Sequence, residues 1–136
     1  MTYVRSYGQA REIMKEYYCS PYVTSPEGYE NDRYFKVPVD CPREFCMDDD
    51  CVRLVSKETG AVIPIHAFPF DDEGRKNIEM MNRMTPVYDE AEDSEYISLL
   101  KRYRSTYGRG YFSGEDHELY GATARQVMND IRKALA

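Results

Sequence analysis

The chain has 136 residues, 42% hydrophobic and 31% charged, a balance that fits one globular domain over residues 1–136 and excludes a disordered chain. No stretch approaches the roughly 20 apolar residues of a membrane span. The N-terminus lacks the basic start and apolar run of a secretory signal, so the expectation is a soluble, cytoplasmic protein. With 24 acidic against 18 basic residues the net charge is −6, which argues against a binder of bare nucleic acid and favours a partner with a basic surface.

In chain order, Ser6 and Gln9 form a capping box, and Ala10, Ile13, Met14 and Tyr17 follow on one helical face, which predicts a first helix over 7–18. Residues 20–32, with Pro21, Pro26, Gly28, Asn31 and Asp32, read as a loop carrying Tyr22 and Tyr29. Residues 33–39 read as a strand with Phe35, Val37 and Val39 on one face, and Pro38 places it at a sheet edge. The clearest β signal is a hairpin: residues 52–55 and 61–65 flank a polar turn ending in Gly60, whose place calls for a left-handed conformation. Pro64 again suggests an edge or a bulge.

Asp71 and Asp72 suit the start of a second helix running to about Met84, with Ile78, Met81 and Met84 inward and Thr85-Pro86 ending the element. Acids over 89–95 and bases over 101–104 bracket a third helix whose apolar face holds Tyr96, Leu99, Leu100, Tyr103 and Tyr107, with Gly108 at its end. Thr123 and Gln126 cap a fourth, with Val127, Met128, Ile131 and Leu135 in a stripe. The expected fold is α+β: a small antiparallel sheet of about three strands packed on one face by about four helices, in the order α-β-β-β-α-α-α.

The cysteines are Cys19, Cys41, Cys46 and Cys51. Cys41, Cys46 and Cys51 lie at the loose end of zinc-ligand spacing, and Cys19, His66 or His117 could complete a tetrahedral set. A zinc-stabilised module on this loop is one reading; buried or idle thiols are the plainer one. No glycine-rich elbow surrounds a cysteine, and Asp48, Asp49 and Asp50 would raise a neighbouring thiol's pKa, which counts against a catalytic thiol. No spacing of His, Cys, Ser and carboxylate defines an active site, so the expectation is not an enzyme.

The chain has 13 tyrosines and no tryptophan. Tyrosine is favoured where surfaces bind. Together with acidic patches it suggests a protein-binding role, with Asp48, Asp49, Asp50, Asp71, Asp72, Glu73, Asp89, Glu90, Glu92, Tyr22 and Tyr29 as contact residues. Such a protein, an inhibitor or adaptor, would occupy a basic surface that otherwise holds nucleic acid. Small acidic proteins of phages and mobile elements, DNA mimics and anti-CRISPR inhibitors among them, have this general character, although no motif links the chain to them. The alternative is a nucleic-acid or phosphate binder built on Lys101, Arg102, Arg104 and Arg109 with Tyr103, Tyr107 and Tyr111 as stacking partners.

Overall fold

A computed structural model describes residues 3–18, 22–40, 51–113 and 123–136. Helix α1 (Tyr7–Tyr18) leads into strands β1 (Val23–Thr24), β2 (Glu27–Glu30), β3 (Tyr34–Lys36), β4 (Val39–Asp40), β5 (Cys51–Ser56) and β6 (Val62–His66). Helix α2 (Asp72–Asn82), strand β7 (Thr85–Tyr88), helix α3 (Ser94–Tyr107), a 3-10 turn (Tyr111–Ser113) and helix α4 (Ala124–Leu135) complete the order. The fold is α+β, as expected, but its main sheet is larger than the three strands anticipated. It is five-stranded and antiparallel, in the order β6-β5-β3-β2-β7, while β1 and β4 pair apart from it.

All four helices fall where capping and periodicity placed them. In α1 the Ser6 hydroxyl accepts from the Gln9 amide at 3.2 Å, and the Gln9 side chain accepts from the Ser6 amide at 3.2 Å. The reciprocal bonds of Thr123 and Gln126 start α4 the same way. These bonds satisfy amides that a helix start leaves without intrahelical partners. Gly60 closes the β5–β6 hairpin at φ 76° and Gly108 ends α3 at φ 72°, the left-handed region where a side chain is strained.

Three sheet expectations are corrected. The supposed loop 20–32 holds β2, which runs between β3 and β7. Thr85-Pro86 follows the end of α2, as expected, but also opens an edge strand, β7, that was not foreseen. The strand predicted over 33–39 is not an edge. It stops at Lys36 in the sheet interior, and Pro38 lies beyond it in a link to β4. The two prolines that do lie in the main sheet, Pro64 in β6 and Pro86 in β7, are both on edge strands, where a missing ladder donor costs least.

The helices cover both faces of the sheet rather than one. Successive strand residues point to opposite faces. Val55 and Val87 pack with Tyr7, Ala10 and Met14 of α1. Their neighbours Leu54 and Tyr88 pack on the other side, Leu54 with Met81 and Met84 at the end of α2 and Tyr88 with α3. Tyr96, Leu99 and Leu100 of α3 meet Val127 and Ile131 of α4 in a separate cluster. No helix among the described residues is long and apolar enough to cross a membrane.

Candidate protein-binding surface

The most exposed large apolar side chain of the described residues sits where β6 turns into α2. Phe70 is 79% exposed and Phe68 is 37% exposed. Their rings meet edge to face at 5.2 Å. Water would ordinarily drive such a pair inward, and the backbone that carries it is bonded on both sides. The Asn77 side-chain amide donates to the His66 carbonyl at 2.8 Å on the strand side. On the helix side one Asp71 oxygen accepts from the Gly74 amide at 2.6 Å, the N-cap of α2, and the other lies 2.6 Å from His66 Nε2. Gly74 packs so closely on the Phe68 backbone that a Cβ there would overlap the Phe68 carbonyl. The bonds of His66 and, next, of the Gly74 amide hold the Asp71 carboxyl below its usual range.

Beside this aromatic pair stand Asp72, which bonds Arg75, and Glu73, both exposed. The acids expected at 71–73 therefore follow directly on an exposed aromatic pair that charge reasoning overlooked. Phe68-Pro69-Phe70 carries no charge and no helical or strand spacing that would single it out in the sequence. Nothing in a single sequence says whether such rings turn inward or outward.

The acids at 89–92 are used differently. Asp89 is buried, and Arg11 of α1 donates to it at 3.1 Å and to Glu92 at 2.9 Å. Arg11 also donates to the Thr24 hydroxyl and carbonyl. Asp89 and Glu92 thus tie the α3 entry to α1, and Glu90 is the exposed carboxylate of that set. Asp71–Glu73 and Glu90 lie at opposite edges of the sheet, so the acidic patches do not merge. Asp48, Asp49 and Asp50 lie outside the described residues. Tyr29 is on β2, not in a loop, and its hydroxyl accepts from Arg104 at 2.9 Å. Tyr22 packs on Tyr18 with ring centroids 5.1 Å apart.

The basic and aromatic segment of α3 divides between inside and outside. Arg104 turns inward to Glu27 at 3.3 Å, and Glu27 is only 2% exposed. Tyr111 is buried with its hydroxyl donating to Asp130 at 2.7 Å; burial, then Asp130, pushes that phenol well above its usual range. Tyr107 packs on Tyr103 and donates to the Ala134 carbonyl. Lys101 lies over the Tyr88 ring, while Arg102 and Arg109 are exposed. Lys101 and Arg102 line a groove of about 570 Å³ on the outer side of α3, together with Glu90 and Glu92.

Cys41, Cys46, Cys19 and His117 lie outside the described residues. The register sets Cys51 opposite His66. Among the described residues, no three of His, Cys, Asp and Glu converge on a metal-sized site.

Comparison with protein-family models, with curated proteins and with solved structures finds no match.

Proposed function

We propose that the chain is a non-enzymatic protein-binding protein, an inhibitor or adaptor, that seats Phe70 in an apolar pocket of a partner whose surrounding surface is basic. The observation that carries this reading is a fully presented phenylalanine on a backbone pinned from both sides. Burying such a ring contributes about 1.5 to 3 kcal/mol, and little entropy is lost because the loop is already ordered. Aromatic anchors of this kind dominate the energetics of protein interfaces. Asp72 and Glu73 supply the charge complementarity that steers encounter with a basic surface and rejects acidic ones. A basic surface that holds nucleic acid in the absence of this protein is the natural target, so the proposed role is that of an anti-defence protein of a phage or mobile element, acting in the cytoplasm.

The test is capture from host lysate on the immobilised chain, with and without nuclease, washed at low and at high salt. The expected result is a protein retained after nuclease treatment and released by salt. Recovery of nucleic acid alone, abolished by nuclease, would contradict the proposal and favour the Lys101, Arg102 and Arg109 surface instead.

A further inference from the structure

Strand β7 ends the sheet, and Pro86 reveals which of its backbone groups face outward. Asp89 donates its amide inward to the Pro26 carbonyl at 2.9 Å. Residues of the same parity, Thr85 and Val87, therefore turn their amides and carbonyls toward β2, where they face Glu30 and Gly28 in register. Pro86 and Tyr88 alternate with them and face away from the sheet. The missing donor of Pro86 costs nothing to the β2–β7 ladder for this reason. The outer side of β7 then presents the Tyr88 N–H and the carbonyls of Pro86 and Tyr88, which no other described strand takes up.

Alongside this edge runs a cleft of about 600 Å³, between β7 and the first turn of α1. Glu12, Glu30, Asp89 and Glu90 line it, and Arg5 is the only cation among the described lining residues. Arg11 balances Asp89. Lys15 and Lys57 pair with Glu12 and Glu30 but do not line the cleft. An open strand edge beside a cleft whose described lining holds four carboxylates and one guanidinium, with Glu90 in no ion pair among the described residues, fits one kind of occupant.

We propose that β7 accepts an extended, basic segment of a partner protein as a sixth, antiparallel strand. Main-chain bonds to Tyr88 and Pro86 hold the segment, and alternate side chains confer specificity. In an antiparallel pair, directly opposed residues share a face, and every second opposed pair, the hydrogen-bonded one, exchanges both bonds. The residue opposite Tyr88 therefore bonds the edge, and its neighbours turn their side chains to the α1 face, into the cleft. Those neighbours are lysine or arginine. A second copy of this chain fits poorly, because β7 has a single outward N–H, at Tyr88, so that pairing the strand with itself makes two main-chain bonds at most and sets two equally acidic clefts side by side. This site lies about four strand spacings, roughly 19 Å, from the Phe70 edge and does not depend on it.

The probe is a labelled eight-residue peptide alternating lysine with valine. Fluorescence anisotropy should show saturable binding that weakens with salt, and the Tyr88 amide should shift in a ¹H–¹⁵N spectrum and gain exchange protection. Methylating the valine nitrogens should weaken binding at least tenfold, while methylating the lysine nitrogens should leave it within about twofold, since only the valines face the edge. Glutamate in place of lysine should abolish binding, and Glu90→Lys should weaken it several-fold. No binding, binding unaffected by valine N-methylation, equal binding of the glutamate peptide, or a Tyr88 amide that does not respond would each overturn the proposal. So would a dimer in sedimentation that protects the same amide.

Discussion

Asp71 does two jobs with one carboxylate. Its Oδ1 caps α2 through the Gly74 amide, and its Oδ2 meets His66. Asparagine can keep the cap but not the charge, and alanine keeps neither. Asp71→Ala is therefore expected to lower the melting temperature more than Asp71→Asn does, with increased amide exchange confined to the first turn of α2. The pH dependence follows from the depressed carboxyl. A carboxyl whose folded pKa is lowered contributes stability above its unfolded value, ordinarily 3.8, and that contribution is lost as pH falls through the lower folded value. Chemical denaturation between about pH 6 and pH 2 should show the Asp71→Asn variant losing less stability in the acid limb than the parent. Gly28 is the second residue that its surroundings dictate. A Cβ there would strike the Tyr7 ring and the Lys36 carbonyl. Gly28→Ala should cost about 1 to 3 kcal/mol, the usual range for overpacking, measured by denaturant titration. Caps and left-handed glycines such as Ser6, Thr123, Gly60 and Gly108 were legible in the sequence because their chemistry is local. Gly28 read as a loop residue because the ring it accommodates is 21 positions away.

At the scale of elements, α3 is joined to the sheet by charge as well as by packing. Arg104 reaches Glu27, Tyr29 and the edge of the Tyr88 site, and burial, followed by the hydrogen bond with Glu27, pushes the Tyr88 phenol above its usual range. Removing one member leaves the other charge in a dry place. Arg104→Met should cost about 3 to 5 kcal/mol, whereas Arg104→Met with Glu27→Gln should recover a substantial part of it. Equal stability of the two variants in a double-mutant comparison would contradict this account. The same pair explains why β2 was hidden. Glu27-Gly28-Tyr29-Glu30 has neither the alternation nor the propensity of a strand. It becomes one because Arg104 satisfies Glu27 and Tyr7 packs on Gly28, contacts that exist only after the chain has folded. β7 was hidden by Pro86, whose breaker signal is silent at an edge facing outward.

For the whole molecule, the described acids put forward for contact do not form one face. Asp89 and Glu92 hold α1 to the α3 entry, Asp71 caps a helix, and Asp72 and Glu73 lie at the opposite edge of the sheet from Glu90. The binding role that acids and tyrosines suggested is therefore proposed for a phenylalanine instead. The tyrosines that seemed available for contact, Tyr29 and Tyr111 among them, have their hydroxyls engaged within the fold. Composition suggested a binding surface without a location for it, because exposure is a property of the assembled sheet and helices.

The most direct test of the central claim compares three baits in nuclease-treated host lysate: the parent chain, Phe70→Ser, and Asp72→Lys with Glu73→Lys. Circular dichroism should match the parent for both variants, and melting should be near the parent's for Phe70→Ser but somewhat lower for the charge reversal, which sets two cations in the first turn of α2 and breaks the surface pair of Asp72 with Arg75. The account predicts one protein retained by the parent, with retention falling about tenfold or more on Phe70→Ser, as expected of a buried aromatic anchor, and falling also on charge reversal. Retention of the same protein undiminished by Phe70→Ser would contradict it.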